Sequence, residues 1–316
     1  MSELLVITCP SGKQCAHLIP LLYNKGRWTL RLAAHSQASQ EKLKSQYPDA
    51  EVIPTDLSSF SDCQSLLTGA TAVYHVGPSF HSREREIGFN MIDAAVAETK
   101  RPGSAFKHFV FSGVMGTQIR NLMQHELKAL VEERLYLSAG LSWTILQPAN
   151  FMDFFPVALL AGQERPVLDK LWSPDAANSM VALRDLAEAA ARVLDEGERH
   201  YFAQYQLAST LPTSENEVAG IIGRHLGREV STRAPTFEEG AGRVLHYLFG
   251  AAAAEGDPRP DITRDEAERF ILFSNRRGLR GSPNVLRWLL GREPTTVDEW
   301  VRRELEALNK EARGFA

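Results

Sequence analysis

The chain has 316 residues, of which 44% are apolar and 23% charged, and its formal net charge is −4 at pH 7. This composition is ordinary for a globular protein, and the small negative charge gives no reason to expect nucleic acid or an anionic membrane as a partner. No apolar run approaches the roughly 20 residues of a membrane span. A strand pattern begins almost at the first residue, so no signal peptide is expected. Three cysteines without the spacing of metal ligands predict reduced thiols and a cytoplasmic protein without a metal site.

The beginning of the chain has the pattern of a strand, a turn and a helix. Residues 4–8 are apolar and β-leaning, a short turn follows, and a helical pattern over 16–23 stops at Gly26. At the start of an α/β chain, such a turn is where a dinucleotide pyrophosphate usually binds, on N–H groups of the first helical turn. The usual fingerprint would place glycine at positions 9, 12 and 15, but only Gly12 is present. The motif alone is therefore a weak signal.

Strand and helix patterns alternate through the first half of the chain. Strands separated by helices of this length predict an α/β fold with a doubly wound parallel sheet and right-handed crossovers. The predicted strands after the first are 28–34, 52–53, 72–76, 106–112 and 142–146, and the predicted helices between them are 36–43, 58–69, 85–98 and 121–138.

The alternation ends after Pro148, which suggests a second domain. We predict that residues 1–150, with about 180–200, form the sheet domain. A smaller, mostly helical lobe would then comprise 151–179 and 201–316. Its helical patterns in the last third of the chain cover 236–253, 264–273, 283–290 and 295–309.

Three local features stand out in this second part. Phe151 and Phe154 follow the last strand, where open sheets hold their ligands, so they either roof a pocket or pack the second lobe. Asp185 is predicted to cap a helix over 186–194. Ser214 and Glu217 have the spacing of a capping box at the start of another helix.

Several segments, taken together, resemble one known family. They are 8–14 (TCPSGKQ), 72–78 (AVYHVGP), 109–114 (FVFSGV), His125 with Lys128 and Glu132, 143–152 (WTILQPANFM) and 181–187 (VALRDLA). In order and spacing these segments resemble the NmrA-like family of atypical short-chain dehydrogenases, especially its fungal members. The resemblance implies a Rossmann domain that binds NAD(P), with a smaller lobe closing over the nicotinamide end. Members of the family divide between reductases of small quinone-like or enone substrates and proteins that bind the cofactor to sense redox state.

The region after the second strand favours NADP(H) over NAD(H). A carboxylate there would hold the ribose of NAD, and an arginine would meet the 2′-phosphate of NADP. This chain has no acid at that point and has His35 where the family often has arginine. Asp56 and Leu57 resemble the segment beside the adenine, although Asp56 is equally a candidate helix cap. The predicted cofactor contacts are Ser11, Gly12, Lys13, Gln14, His35, Asp56, Leu57, Gly77, Pro78, Lys128, Pro148 and Asn150.

Three departures from the usual phosphate turn bear on that prediction. A side chain at Cys9 would stiffen the turn, because only glycine reaches positive φ freely. A side chain at Cys15 is expected to push the helix from the sheet or to narrow the pyrophosphate site. Pro10 removes one N–H group that could have met the phosphate.

The candidate chemical groups lie near the predicted helix over 121–138. Typical short-chain dehydrogenases have a tyrosine four residues before the lysine, and this position is Gln124. Lys128 would bind the nicotinamide ribose, unless it is a surface lysine. His125, on nearly the same helical face, is a candidate proton donor or a packed histidine. Ser112, at the end of a strand, is a candidate contact to substrate or cofactor.

Other residues near the strand ends complete the candidate substrate site. His75, within a strand, is predicted to be a core histidine with its hydrogen bonds satisfied. His81 and Glu84 follow the fourth strand on the same rim, and either could face the substrate. The candidate substrate contacts are Phe80, His81, Gln124, Phe151 and Phe154.

Three hypotheses for function follow. The first is an NADP(H)-dependent oxidoreductase of a small apolar or aromatic quinone, enone or carbonyl compound, in specialised metabolism. The second is a non-catalytic NADP(H) sensor, and the third is a cofactor-free isomerase, cyclase or dehydratase on the same fold. A monomer or a homodimer is expected.

Overall fold

A computed structural model describes residues 3–78, 81, 83–249 and 260–314. Its strands, in chain order, are β1 (Glu3–Ile7), β2 (Trp28–Ala34), β3 (Glu51–Pro54), β4 (Ala72–Val76), β5 (His108–Ser112), β6 (Trp143–Pro148), β7 (Asn150–Phe151), β8 (Val167–Asp169), β9 (Met180–Val181), β10 (Ala203–Leu207) and β11 (Ser231–Arg233). Its α-helices are α1 (Lys13–Leu22), α2 (Gln37–Gln46), α3 (Phe60–Leu67), α4 (Glu84–Lys100), α5 (Met123–Tyr136), α6 (Val157–Ala161), α7 (Leu183–Glu196), α8 (Glu215–Leu226), α9 (Phe237–Phe249), α10 (Pro260–Arg276), α11 (Asn284–Leu290) and α12 (Val297–Gly314).

One large sheet contains seven strands in the order β10-β6-β5-β4-β1-β2-β3. Each neighbouring pair from β3 to β6 is parallel. The chain starts near the middle of the sheet and winds first to one side and then to the other, so the predicted doubly wound α/β fold is confirmed. The carboxyl ends of β1 to β5 consequently lie along one edge.

Strand β10 is the part of this sheet that the sequence pattern does not predict. Its five residues, AQYQL, are mostly polar, and their burial alternates because one side of the strand is exposed. A short edge strand without an apolar run has no strong signal of its own, and β10 is fixed by its place beside β6.

The described chain divides into two compact units. The first contains residues 3–120, 124–148 and 186–205, and the second contains 121–123, 149–185, 206–249 and 260–314. In the first unit, one face of the sheet packs against α3, α4 and α5 around an apolar core that includes Val73, Phe109 and Ile145. Burial of these side chains fixes the strand ends that carry the candidate site.

The second unit has its own apolar core and a buried carboxylate, that of Asp185. Asp185 lies in the first turn of α7 rather than at a cap, so that prediction was wrong. Its carboxylate is fully buried and accepts hydrogen bonds from Thr295 N at 2.7 Å, and from Arg292 Nη2, Thr295 Oγ1 and Ser209 Oγ at 2.8 Å each. The predicted capping box of Ser214 and Glu217 is confirmed at the start of α8.

Candidate cofactor and active site

The turn between β1 and α1 keeps its shape although two of the expected glycines are cysteines. Cys9 has a φ of +49°, a left-handed conformation that costs an ordinary residue about 1–2 kcal/mol. Gly12 N donates to Cys9 O at 2.9 Å and closes the turn. Gly12 itself has an ordinary φ of −74°, but a Cβ atom there would lie 3.1 Å from Cys9 O. Glycine is therefore favoured at this position because the backbone passes close to Cys9 O, and not because of an unusual backbone angle.

The side chain of Cys15 lies between α1 and the end of β1 and is not exposed. The residue is fully buried, and its thiol lies 3.6 Å from Thr8 O as a weak donor. The sulfur thus lies between the helix and the sheet, and the expected displacement of the helix or narrowing of the phosphate site stays a prediction. Burial raises the pKa of both thiols, that of Cys9 to about 11, so both are protonated at neutral pH.

The start of α1 fits an anionic group. Gly12 is the N-cap, and no side chain of the described residues caps the helix, so its first turn offers N–H groups to an external acceptor. Ser11, Gly12 and Lys13 are exposed there. These features are those that a dinucleotide pyrophosphate requires.

Gln14 and Ser112 face inward and bind each other. The Ser112 hydroxyl donates to Gln14 Oε1 at 2.8 Å, and the Tyr74 hydroxyl lies 3.3 Å from the same oxygen. Ser112 is only 2% exposed. Gln14 Oε1 therefore joins α1 to β4 and β5, and the Ser112 hydroxyl could donate to a substrate only if this bond broke.

A second polar group lies at the ends of β2 and β3. His35 is exposed directly after β2. The Asp56 carboxylate accepts from Ser58 N at 2.9 Å and Ser58 Oγ at 2.7 Å, which lowers its pKa, and the charges of His35 and Arg83 lower it further. The N-cap of the following helix is Ser59, so Asp56 is not the cap. Arg83 was missed by sequence reasoning, because only the fold brings the start of α4 near Asp56.

Lys128 and Glu84 form a buried ion pair. The Lys128 ammonium donates to Glu84 Oε1, and the two side chains are 5% and 3% exposed. Glu84 is the first residue of α4, and a Cβ atom at Gly77 would lie 3.5 Å from its Oε1. The alternative that Lys128 is a surface lysine is excluded by this burial. The pair joins α4 and α5 at the edge of the sheet that carries the phosphate turn.

His125 lies beside this pair as a neutral ring. Its Nδ1 lies 3.0 Å from Gly116 O, and since a carbonyl can only accept, Nδ1 carries the proton and Nε2 is the basic atom. Burial, together with the charge of Lys128, lowers the pKa of His125 to about 4. In the free protein, the ring of His125 is therefore neutral at pH 7 and its Nε2 can accept a hydrogen bond, and its role as a proton donor stays a prediction.

Gln124 occupies the position of the missing tyrosine. The residue is 4% exposed, and its Oε1 is buried without a hydrogen-bond partner among the described residues. An amide carbonyl can accept a hydrogen bond but cannot supply a proton. A ligand hydroxyl or amide would satisfy this oxygen.

A buried carboxylate network extends from the same helix. Glu132 accepts from Thr117 Oγ1 at 2.9 Å and from Gln147 Nε2 at 2.8 Å, and burial raises its pKa. A Cβ atom at Gly113 would lie 2.8 Å from Glu132 Oε1. Gly113 is therefore needed for the carboxylate to reach its place. The sequence places Glu132 within the family resemblance but does not reveal these partners.

His75 is in the core, but its hydrogen bonds are only half satisfied. Its ring is fully buried, with Nδ1 3.0 Å from Thr8 Oγ1 and its Nε2 without a partner among the described residues. Burial lowers the pKa of His75 to about 3, and Lys128 adds to the effect. The expectation of a core position is confirmed, and the expectation of full satisfaction was wrong.

The remaining candidates are distributed as follows. Gly77 and Pro78 follow β4, and the exposed His81 accepts from Arg83 N at 3.1 Å through its Nδ1. Leu57 O accepts from Asn90 Nδ2 at 3.2 Å, which ties that segment to α4. Pro148 ends β6, whereas Asn150, Phe151 and Phe154 belong to the second unit, with the two phenylalanine rings 5.6 Å apart. Phe80 lies outside the described residues.

Neither a metal centre nor a membrane helix is found in the part of the chain that the structure describes. No group of three or more His, Cys, Asp or Glu side chains there is placed to hold a metal ion. Among the same residues, no helix is both long and apolar enough to cross a membrane.

Comparison with known proteins identifies a family and several similar folds. The model of the NmrA-like family matches residues 1–242. No curated protein sequence matches the chain. An NADPH-dependent quinone oxidoreductase from Escherichia coli is 20% identical over 95% of this chain and 99% of its own, with a TM-score of 0.72.

Two further structures show the range of proteins with this fold. Triphenylmethane reductase of Citrobacter sp., solved with NADP(H), is 20% identical over 95% of this chain and 99% of its own, with a TM-score of 0.73. NmrA, a negative transcriptional regulator solved with NAD, is 18% identical over 99% of this chain and 98% of its own, with a TM-score of 0.72. At these identities the likeness shows the fold, and the site must decide the function.

Proposed function

The chain belongs to the NmrA-like family, and from that premise we propose that it binds NADP(H) and reduces a small apolar or aromatic quinone, enone or carbonyl compound. The observation that carries the proposal is the uncapped start of α1 behind the Gly12 turn, on the sheet edge that also holds the buried Lys128. An anion site and a buried cation on one sheet edge suit a charged cofactor and a substrate oxygen that gains charge.

Residues of the first unit would hold the cofactor. Gly12 and the first turn of α1 would bind the pyrophosphate. His35 and Arg83 would supply positive charge for the 2′-phosphate, and the absence of an acidic residue directly after β2 favours NADP(H) over NAD(H). When bound, the nicotinamide supplies or accepts the hydride.

Lys128 and His125 would serve the reacting end. The Lys128 ammonium stabilises negative charge on a substrate oxygen, and Glu84 holds that ammonium in place. Gln124 accepts a hydrogen bond through its unpartnered Oε1. Because Gln124 cannot give a proton and His125 is neutral, the final proton comes from water. A quinone suits this site, because its reduced anion needs no strong acid at the moment of hydride transfer.

A regulator that binds the cofactor without using it is the second candidate. The absence of a protein acid at position 124 favours it, and a negative transcriptional regulator shares the fold. Such a protein would need only the cofactor-binding half of the site.

The deciding experiment is a fluorescence titration with NADPH and NADH, followed by NADPH oxidation assays with a panel of quinones and aromatic enones. Micromolar NADPH binding with quinone-dependent oxidation supports the reductase. Equally tight binding without oxidation of NADPH by any acceptor supports the regulator. No binding of either nucleotide at millimolar concentration would overturn both readings and leave the cofactor-free enzyme of the sequence analysis.

A further inference from the structure

The second unit contains a buried lysine in an aromatic setting that the proposed reduction does not use. Lys170 follows β8, and its side chain is 12% exposed. Its Nζ lies 3.8 Å from the centre of the Phe155 ring and 5.5 Å from that of Trp172. Two aromatic rings therefore lie next to the Lys170 amine.

This amine is not hydrogen-bonded to the buried carboxylate beside it. Its nearest acidic partner, Glu215 Oε1, lies 3.9 Å away, beyond hydrogen-bond distance. Glu215 is 4% exposed, and its Oε1 has no hydrogen-bond partner among the described residues. The Trp172 Nε1 is also buried and unpartnered in the described chain. Two buried polar atoms around Lys170, Glu215 Oε1 and Trp172 Nε1, thus lack among the described residues the hydrogen bonds that burial normally requires.

This environment disfavours the ammonium form of Lys170. Removal of an ammonium group from water costs more free energy than contact with an aromatic face returns. Burial accordingly lowers the pKa of Lys170, although Glu215 opposes the shift. Burial also raises the pKa of Glu215, to about 7. Burial thus acts against the charged form of both members of the pair.

The choice of lysine is itself unusual in this unit. Residues 149–185 and 206–316 contain 17 arginines but only two lysines, Lys170 and Lys310. Arginine stays charged in proteins, whereas a buried lysine readily loses its proton and then becomes a nucleophile. A purely structural cation at this point could have been an arginine like its neighbours.

We propose that Lys170 is a nucleophilic amine that forms a reversible imine with a small apolar or aromatic aldehyde or ketone, with Glu215 as its acid and base. The amine Nζ adds to the carbonyl carbon, and a proton moves from nitrogen to the carbonyl oxygen. Glu215 then protonates the hydroxyl group, which leaves as water while the C=N bond forms. The nitrogen returns a proton to Glu215, so amine and carbonyl give imine and water without any redox change. Phe155 and Trp172 select for an apolar carbonyl compound.

The test is reductive trapping of the full-length protein with benzaldehyde and cyanoborohydride near pH 7.5, followed by peptide mass spectrometry. Lys310 is exposed in the same unit and serves as the internal reference. We expect Lys170 to be benzylated at least tenfold faster than Lys310. Equal or slower labelling of Lys170 in the folded wild-type protein would overturn the proposal.

Two variants separate chemistry from accessibility. Glu215→Gln should slow the labelling of Lys170 about tenfold and leave that of Lys310 unchanged, because the amide cannot give a proton to the leaving hydroxyl. Lys170→Arg should remove the label from this peptide. If Glu215→Gln is folded by circular dichroism and labels at the wild-type rate, the role of Glu215 is refuted. The wild-type comparison needs neither cofactor nor turnover, so its outcome is independent of the proposed reductase activity.

Discussion

Lys128 and Glu84 hold opposite charges in a region where neither side chain is more than 5% exposed. Removal of the lysine leaves a buried carboxylate without its cation, which is among the most costly single changes in a protein. We expect Lys128→Met to lower the free energy of unfolding by about 3–5 kcal/mol. The double variant Glu84→Gln with Lys128→Met should lose clearly less than the sum of the single changes, because no uncompensated charge remains. Urea unfolding of the four proteins measures this coupling, and additivity within about 0.5 kcal/mol would contradict it.

Gly12 lies in an allowed backbone region, so its role can be separated from stability. Alanine is compatible with a φ of −74° and a ψ of 158°, but its Cβ would crowd Cys9 O at 3.1 Å and the space over the turn. We expect Gly12→Ala to weaken NADPH binding at least tenfold, with a small change in unfolding free energy. Gly220→Ala, in a helix where a new Cβ meets nothing within 4 Å, is the matched control and should leave affinity unchanged. Equal NADPH affinities for Gly12→Ala and wild type would place the phosphate elsewhere.

At the scale of elements, α4 and α5 pack unusually closely at Gly88. A Cβ atom there would lie 2.4 Å and 2.8 Å from the two methyl carbons of Val131. Gly88→Ala should therefore destabilise the first unit by about 1–3 kcal/mol, the usual effect of overpacking a core. These two helices carry Glu84 and Lys128, so the same change should also weaken NADPH binding.

A change at Val131, the residue that packs against Gly88, should restore stability to the Gly88→Ala variant. Val131→Ala removes both methyl groups that the new Cβ would meet. The variant with both changes should recover much of the unfolding free energy lost by Gly88→Ala, measured by thermal and urea unfolding. A double variant as unstable as the sum of its single changes would mean that Gly88 serves another purpose.

The elements also show how far sequence reasoning extends. Strands β2 and β4 are predicted with their observed bounds, because their apolar runs and flanking turns are local signals. The start of α8 is also predicted correctly, since the two residues of a capping box are only three positions apart in the sequence. Strand β10 and the role of Asp185 depend on partners distant in the chain, and no local pattern contains them.

The same limit applies to the candidate site. The strand–turn–helix pattern selects Gly12, and the family resemblance selects His125 and Lys128. Neither signal pairs Lys128 with Glu84, which is 44 residues away, or reveals that His125 is neutral. Burial decides both points, and burial is a property of the folded chain.

At the scale of the whole molecule, three buried histidines predict how stability depends on pH. Burial lowers the pKa of His75 and His108 to about 3 and that of His125 to about 4, compared with 6.5 for an exposed ring. Between pH 6.5 and 4 these three histidines are protonated in the unfolded chain but remain neutral in the folded chain. The free energy of unfolding therefore falls as the pH falls. Each such ring contributes about 1.4 kcal/mol per pH unit in this window. The raised pKa values of Glu132 and Glu215 act in the opposite direction, but they are two groups against three.

His108 offers the cleanest test of this slope, because it lies outside the candidate site. Thr144 Oγ1 donates to His200 O at 2.6 Å, so the His108 Nε2–H donates to Thr144 Oγ1 at 2.8 Å, and an amide can replace that donor. We expect His108→Gln to reduce the slope of unfolding free energy against pH by about 1.4 kcal/mol per unit between pH 4.5 and 6.5, in urea titrations followed by circular dichroism. The exposed His246→Asn is the control and should keep the wild-type slope. If His108→Gln also keeps that slope, the buried rings are not what makes the fold acid-sensitive, and the carboxylates must be examined instead.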